Sequence, residues 1–203
     1  VFEGDSGALV FSRTITGTNG CSGFTICGGI GSPAIADIDG GGDIEIVVDS
    51  SAGLRAYKNT GALLWVNPGV QGTWASAPVI GNLDADDAPE IVAVHDLYSP
   101  VQRRIHIVQP DGSTSWTYTL PTTAPGPRMP VLADLNGDGR LDILVASGQT
   151  LYAFHNNGVS MTLAYTRASG LDHYGAPAVA DIDADGQPEI IMGWTGIIAA
   201  YEN

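Results

Sequence analysis

The chain has 203 residues, enough to bury a substantial apolar core, and carries 8 Lys and Arg against 22 Asp and Glu. The formal net charge of −14 argues against a nucleic-acid partner, because such binding depends on basic side chains that neutralise phosphates. No apolar run is long enough to span a membrane, so membrane insertion is not expected, and no signal peptide is visible. Since the chain begins at Val1 rather than Met, we interpret it as a processed chain or as a segment of a longer one.

The N-terminal region is predicted to contain a strand over residues 7–12, followed by a long loop over residues 14–31. This loop holds the two cysteines of the chain, Cys21 and Cys27. A disulfide between them would close a small ring and would imply an oxidising compartment; two unpaired thiols are the alternative.

Four repeats follow, over residues 32–66, 77–120, 129–167 and 176–203. Each has a short apolar run, an acidic loop and a second apolar run, and the first three continue into a hairpin with a glycine-containing turn. The last repeat stops before its outermost strand. Because no segment has a sustained helical period, we predict one all-β domain over residues 1–203.

The acidic loop of the third repeat predicts a cation site. Asp134, Asn136, Asp138 and Asp142 occupy the first, third, fifth and ninth positions of a nine-residue segment. Alternating side-chain oxygens followed by a turn and a later acid are typical of loops that bind Ca²⁺, which takes six to eight oxygen ligands. Gly139 lies where the chain must turn, and we expect a positive φ there.

The other three repeats carry the same loop, and 15 of the 22 acids fall within the four copies. The corresponding residues are Asp37, Asp39, Gly41 and Glu45; Asn82, Asp84, Asp86 and Glu90; and Asp181, Asp183, Asp185 and Glu189. The first positions are 45, 52 and 47 residues apart, which is the period of propeller blades. The seventh positions share no side-chain chemistry, so we expect the backbone carbonyl to be the ligand there: Asp43, Ala88, Arg140 and Gln187.

Two other calcium-binding architectures do not fit these loops. An EF-hand needs flanking helices and an acid at position twelve, which is Val145 in the third copy. A nonapeptide calcium solenoid needs a repeat every nine residues, whereas these loops recur about every fifty.

The sequence resembles the FG-GAP (VCBS-type) repeat family, whose members include the integrin α-subunit propellers. The residues that carry the resemblance are the Gly175-Ala-Pro177 opening and the segment from Ala180 to Gly186. The resemblance implies a β-propeller of four-stranded antiparallel blades, about four in number, in which a structural Ca²⁺ loop joins the first strand to the second. Gly41 removes one oxygen from the first loop and Asp87 replaces the turn glycine of the second, so we expect two to four Ca²⁺, bound best by the third and fourth loops.

The incomplete fourth blade leaves three arrangements open. Residues 7–12 resemble a fourth strand and could complete the last blade of the same chain. The chain could be part of a larger propeller, since family members usually have seven blades. The strand could also complete the last blade of a neighbouring copy, which would give self-association by strand donation and a filament.

The face opposite the cation loops is predicted to gather aromatic and polar residues. These candidate ligand-binding residues are Trp74, Tyr98, Arg128, His173, Tyr174 and Trp194. Aromatic side chains around a shallow depression are typical of glycan or peptide binding, and packing between blades is the alternative. Trp65 and Trp116 occupy equivalent fourth strands and are interpreted as blade packing.

No catalytic residue is predicted, because no His has a nucleophile or acid at a catalytic spacing and no phosphate loop is present. We therefore expect a non-catalytic, secreted or surface-exposed protein that serves adhesion, surface or filament structure, or the binding of a protein or glycan. The alternatives are the propeller domain of a secreted polysaccharide-active enzyme and a lectin-like module. Measured turnover on polysaccharides would distinguish the enzyme from the others.

Overall fold

The computed structural model describes residues 1, 4, 6–15, 30–71, 76–84, 86–98, 101–121, 126–168, 175–194 and 196–203. Within these ranges every regular element is a β-strand, and no helix is long and apolar enough to cross a membrane. For Tyr98 and Trp194 only the backbone is described. The predicted disulfide between Cys21 and Cys27 lies outside the described residues.

The strands form four antiparallel sheets, which we call blades 1 to 4 in chain order. Blade 1 contains β1 (Ala34–Ala36), β2 (Glu45–Val48), β3 (Leu54–Tyr57) and β4 (Leu63–Asn67). Blade 2 contains β5 (Val79–Gly81), β6 (Glu90–Tyr98), β7 (Val101–Val108) and β8 (Thr114–Thr119). Blade 3 contains β9 (Val131–Ala133), β10 (Asp142–Ser147), β11 (Thr150–Asn156) and β12 (Met161–Ala168). Blade 4 contains β13 (Ala178–Ala180), β14 (Glu189–Trp194) and β15 (Ile197–Tyr201).

Each blade is a meander in which neighbouring strands are also neighbours in the chain. The prediction of an all-β chain built from antiparallel blades is confirmed. Three blades have four strands, and blade 4 has three within the described residues.

The hairpin between the third and fourth strands has the same geometry in blades 1, 2 and 3. A register shift follows Ala56, Ile107 and Ala153, which are equivalent positions. The turn in each case contains a glycine with positive φ: Gly61, Gly112 and Gly158. Glycine suits this place because it adopts the left-handed region without the steric cost of a Cβ atom.

Within the described residues, the core consists of three apolar layers, one between each pair of consecutive blades. The layer between blades 1 and 2 contains Ile38, Leu54 and Ile91. The layer between blades 2 and 3 is built around Phe154, whose ring packs edge-on against Trp116 and Tyr118 at centroid distances of 5.6 and 4.8 Å. The layer between blades 3 and 4 contains Leu135, Leu144 and Ile190. Every residue of β10 is buried, because blade 3 is covered on both faces.

The N-terminal segment lies against blade 1. Regular strand pairing is not present in residues 7–12, where Leu9 forms an isolated bridge. Among the described residues, the predicted strand is therefore reduced to this bridge and to two hydrogen bonds. The Val10 N–H donates to the Val1 carbonyl at 2.9 Å, and the Val1 amino group donates to the Phe11 carbonyl at 3.1 Å. The Phe11 ring packs on the Gly61 turn of blade 1, where a Cβ atom on Gly61 would lie 2.7 Å from Phe11 Cδ2.

Candidate cation sites

All four acidic loops join the first strand of a blade to the second, and the ninth residue begins the second strand. Its carboxylate is buried and accepts the N–H of the loop's second residue. This bond joins Ile38 N to Glu45 Oε2 at 3.1 Å, Leu83 N to Glu90 Oε2 at 2.7 Å, Leu135 N to Asp142 Oδ2 at 3.0 Å and Ile182 N to Glu189 Oε2 at 2.8 Å. A buried acid thus closes each loop at the same point.

In each loop the side chain of the third residue accepts a hydrogen bond from the backbone N–H of the fifth residue. Its Oδ1 accepts the N–H of Gly41, Asp86, Asp138 and Asp185 at 2.9, 2.9, 3.0 and 3.2 Å. Asp and Asn side chains stabilise tight turns in this way, so these positions favour the loop conformation without an ion.

In three of the loops the side chain of the first residue accepts a hydrogen bond from the backbone N–H of the sixth residue. Gly42 N donates to Asp37 Oδ2 at 2.8 Å, Gly139 N to Asp134 Oδ2 at 2.8 Å, and Gly186 N to Asp181 Oδ2 at 3.0 Å. These three glycines have φ between +84° and +92°, as expected for Gly139. The second loop has Asp87 at this position, and its first residue, Asn82, donates instead to the carbonyl of Asp86.

Carboxylates converge in three of the loops. One oxygen from each of three acids lies within 4.8 Å of the others in the groups Asp37, Asp39 and Glu45; Asp84, Asp86 and Glu90; and Asp181, Asp183 and Glu189. These groups could hold a metal ion. In the described residues of the third loop, Asp134, Asp138 and Asp142 do not form such a group, and Asn136 stands where loops 1, 2 and 4 have an acid.

Several buried oxygens in these groups have no hydrogen-bond partner in the part of the chain that the structure describes. They are Oδ1 of Asp37 and Oε1 of Glu45, Glu90 and Glu189. A buried carboxylate oxygen without a donor is costly, because it has lost its hydration. A cation within the loop would remove this cost, so the residues of loops 1, 2 and 4 fit a bound metal.

The third loop differs, since both oxygens of its buried acid are satisfied. Asp142 Oδ1 accepts the N–H of Asn156 at 2.8 Å, and Oδ2 accepts that of Leu135. Asp is one carbon shorter than Glu, and this carboxylate links the loop to β11. The loop that matches the sequence pattern most fully is thus the one whose ninth residue depends least on an ion.

The environment of the loops shifts several pKa values. Burial raises the pKa of the Glu90 carboxyl, and the neighbouring charges of Asp84 and Asp86 raise it further. Burial likewise raises the pKa of Asp142. The backbone N–H of Gly139 lowers the pKa of Asp134, and the N–H of Gly41 followed by the Lys58 ammonium lowers that of Asp39.

Cationic side chains reach two of the loops. Lys58 Nζ lies 3.3 Å from Asp39 Oδ2, and an Arg140 guanidinium nitrogen lies 3.6 Å from Asp138 Oδ2. Both pairs are exposed to solvent, and pairs of this kind contribute little to stability. The seventh-position side chains are exposed in loops 1, 3 and 4 and half-buried in loop 2, as for Ala88.

The face opposite the loops is described only in part. Trp74, His173 and Tyr174 lie outside the described residues, and Tyr98 and Trp194 end β6 and β14. Arg128 is half-buried, and its N–H donates to Ala146 O at 2.8 Å. Burial raises the pKa of Asp96, and the Arg103 guanidinium and then the Arg128 charge offset part of that rise. The proposed ligand set on this face therefore stays a prediction.

Two features escaped the sequence reasoning. One is a buried polar group in blade 2, where Asp96 Oδ1 lies 3.2 Å from Arg103 Nε and the rings of His95 and His106 lie 5.8 Å apart. Polar residues opposite one another in two long strands were the available signal. The other is a cleft of about 280 Å³ between blades 2 and 3, lined by Asp84, Glu90, Gln109, Trp116 and Ser160 among others. No sequence pattern marks it, because its walls come from separate repeats.

Comparisons with known proteins bear on the repeat and on the fold. Residues 134–192, from the third loop to β14, match the FG-GAP-like repeat family, which confirms the resemblance for this segment. No curated protein sequence matches the chain at a significant level.

Among solved structures, the chain is similar to BBS1N, crystallised in complex with ARL6DN and soaked with lead, with a TM-score of 0.60 and 13% identity. The match covers 90% of this chain and 55% of that one. The V. cholerae biofilm matrix protein Bap1 matches with a TM-score of 0.39 and 13% identity, over 85% of this chain and 62% of that one. The chain therefore spans a little over half the length of these structures. The similarity to BBS1N supports a propeller-like arrangement of the blades.

Proposed function

We propose that the chain is a calcium-stabilised β-propeller module that acts outside the cell in adhesion, surface structure or ligand binding and catalyses no reaction. The observation that carries this proposal is the set of buried glutamate oxygens without a hydrogen-bond partner, Oε1 of Glu45, Glu90 and Glu189. They recur at one position of three separate loops. A solvated acidic surface would not require these atoms to be buried.

The chemistry of the donor set favours Ca²⁺. Every candidate ligand is an oxygen, from carboxylates, an amide and the expected backbone carbonyl of the seventh residue. Hard cations prefer oxygen, and Ca²⁺ tolerates irregular coordination better than Mg²⁺ does. If the sites have affinities in the range of extracellular calcium modules, they would be loaded outside cells, in keeping with the proposed location.

Cation binding would contribute directly to folding. Three acids held within 4.8 Å repel one another while the loop is empty, and the ninth residue is buried in addition. An ion that neutralises them binds the folded loop far better than the unfolded chain, so its binding free energy stabilises the fold.

Thermal unfolding with calcium and with a chelator tests the proposal. We expect a lower midpoint in chelator, and Asp183→Asn to reduce the difference, because it removes a charged ligand while keeping the oxygen that caps Asp185. The matched control is Asp111→Asn in the turn of blade 2, which removes one charge and keeps the acceptor for the Ser113 N–H. Equal midpoints with and without calcium would rule out structural cation sites.

The cleft between blades 2 and 3 gives a specific reason to test glycans as ligands. It combines the half-buried Trp116 ring with the polar side chains of Gln109 and Ser160. Aromatic rings and a few hydrogen-bonding groups are typical of carbohydrate sites. Binding to a glycan array without turnover would favour a lectin-like module, whereas hydrolysis of a polysaccharide would favour the enzyme alternative.

A further inference from the structure

The cleft between blades 2 and 3 has two walls that come from different repeats. Gln109 and Trp116 stand on the side of blade 2, and residues 158–161 of the β11–β12 hairpin stand on the side of blade 3. The hairpins of blades 1 to 3 share a register shift and a turn glycine but differ in length. Beyond the shift, β11 and β12 continue to pair as far as Asn156, so the hairpin that forms this wall is the longest of the three.

Asn156 fixes the floor of the cleft. Its side-chain N–H groups donate to Leu83 O at 2.6 Å and to Leu141 O at 3.2 Å, and its Oδ1 accepts the Gly158 N–H at 2.9 Å. One buried amide therefore ties together the second loop, the third loop and the hairpin of blade 3. The cleft is formed in advance, which reduces the ordering that ligand binding requires.

The second acidic loop forms one end of this cleft. Asp84 and Glu90 both line it, and one oxygen of each lies within 4.8 Å of an oxygen of Asp86. Glu90 is 1% exposed, and its Oε1 has no hydrogen-bond partner among the described residues. An ion held by these oxygens would therefore lie beside the cleft, within reach of a ligand bound there.

The groove between blades 1 and 2 has the same construction but is occupied by side chains of the chain itself. Lys58 Nζ lies 3.3 Å from Asp39 Oδ2 of the first loop. Trp65 Nε1 donates across the groove to Pro110 O at 2.7 Å. The first of these contacts brings a positive charge to the loop, and the second fastens the aromatic ring to the next blade.

The equivalent side chains of blade 2 are placed differently. The residue that corresponds to the lysine is Gln109, and its neutral side chain donates to Ser115 Oγ at 3.1 Å. The residue that corresponds to the tryptophan is Trp116, and its ring packs edge-on against Phe154 at a centroid distance of 5.6 Å. A neutral amide thus stands near the second loop where blade 1 has an ammonium group.

The coordination needs of Ca²⁺ leave room for oxygens from the cleft. One oxygen from each of Asp84, Asp86 and Glu90, together with the expected carbonyl of Ala88, makes four ligands. Ca²⁺ takes six to eight. Water molecules or the hydroxyl groups of a ligand therefore complete the shell on the side of the cleft.

The charge of the cleft favours a neutral ligand. The three carboxylates of the second loop outweigh the charge of one Ca²⁺, and the adjacent Asp87 adds a further negative charge. Among the described residues that line the cleft there is no Lys, Arg or His. Carboxylate or sulfate groups on a ligand would therefore be repelled, whereas a hydroxyl oxygen would not.

From these observations we infer that the cleft binds a neutral glycan through the cation of the second loop. Two neighbouring sugar hydroxyls replace water molecules on the ion, and the sugar ring lies against the half-buried Trp116. The inference deepens the proposed function and rests on it, because it requires an ion in this loop. It gives that ion a direct role in recognition in addition to its role in folding.

An array of neutral and acidic oligosaccharides, probed in calcium, is the first test. We expect binding to neutral sugars that have neighbouring free hydroxyls, and weaker binding to their uronic-acid and sulfated counterparts. A preference for the acidic sugars would contradict the charge argument. If calcium raises the melting temperature but no neutral sugar binds, the inference is overturned while the proposed function stands; if calcium has no effect on the melting temperature, both fail.

Titration calorimetry with the tightest neutral sugar compares Glu90→Gln with Glu189→Gln. Each change removes one charge at the ninth position of a loop, and Gln at position 90 can still accept the Leu83 N–H. Glu90→Gln should weaken sugar binding about tenfold or more, as for a hot-spot contact, whereas Glu189→Gln should bind like the wild type. Equal losses in the two variants would show that calcium acts only through stability and would overturn the inference.

Terbium luminescence gives a readout that does not depend on stability. Tb³⁺ replaces Ca²⁺ in oxygen sites, and its emission lifetimes in H₂O and D₂O report how many water molecules are bound to the ion. Addition of the same sugar should lower that number in the wild type and leave it unchanged in Glu90→Gln. An unchanged number in the sugar-bound wild type would overturn the inference, because the sugar would then bind without contacting the ion.

Discussion

Substitution of the buried acid should destabilise the fourth loop only in calcium, and the third loop whether or not calcium is present. Glu189 and Asp142 occupy the same loop position, and both are buried. Glu189 leaves Oε1 without a partner, whereas both oxygens of Asp142 accept backbone N–H groups. We therefore compare Glu189→Gln with Asp142→Asn, two nearly isosteric changes that each remove one negative charge.

Glu189→Gln should lower the free energy of unfolding only when calcium is present. The carbonyl oxygen of Gln can still accept the Ile182 N–H, so the chelated protein loses nothing and is relieved of a buried charge. With free calcium roughly 100-fold above the dissociation constant, one site adds about 2.7 kcal/mol to the free energy of unfolding. Losing that site should lower the melting temperature by roughly 5–10 °C in a domain of this size.

Asp142→Asn should lower the free energy of unfolding in chelator as well as in calcium. The new NH₂ group faces either the Leu135 or the Asn156 N–H, and one buried donor is left without an acceptor. That costs about 1–3 kcal/mol whether or not an ion is bound.

Urea unfolding of both variants in calcium and in chelator measures the two effects. A Glu189→Gln penalty that is equally large in chelator would refute the assignment of the orphan oxygen to a cation. An Asp142→Asn penalty that disappears in chelator would show that Asp142 acts as a ligand after all.

Three further predictions concern single residues. Burial raises the pKa of Asp49 from 3.8 to about 7, so above pH 3.8 the unfolded chain releases this proton more readily than the folded chain, and ionisation of Asp49 opposes folding. Asp49→Asn should therefore raise the melting temperature at pH 8 and change it little near pH 4. Burial lowers the pKa of His106 to about 4, so the unfolded chain binds the extra proton and stability should fall as pH drops from about 6.5 to 4. His106→Gln should flatten that part of the urea-midpoint profile. Ala184 has φ of +64°, and Ala184→Gly should stabilise the chain by about 1 kcal/mol, measured by thermal unfolding; an unchanged midpoint would contradict strain there.

The repeat and its loops could be predicted because they are local. A first strand, nine loop residues and a second strand lie within one stretch of chain, so spacing alone places Asp134 and Asp142 on the same loop. The sequence also distinguishes Gly139 from Asp87 at the sixth position, and the loop bonds differ there as the sequence suggests.

Burial of the ninth residue could not be predicted in the same way. The difference between Glu189 and Asp142 depends on Asn156, which approaches from β11 and belongs to the hairpin rather than to the loop. The pairs of Asp96 with Arg103 and of His95 with His106 depend on the register of β6 and β7, which neither strand specifies alone. The contact of Phe11 with Gly61 joins residues fifty positions apart, and the match between residues 7–12 and a fourth strand was its only signal.

The second residue of each loop has a mechanical consequence. In blades 1 to 3 its N–H bonds the acid of its own loop, while its side chain fills the layer shared with the next blade, as Leu135 does between Asp142 and Ile190. One residue therefore couples the state of the loop to the fit between blades. If calcium binds the loops as proposed, losing the ion would loosen the contact between one blade and the next, and a chain under tension would yield first at a contact whose loop is empty.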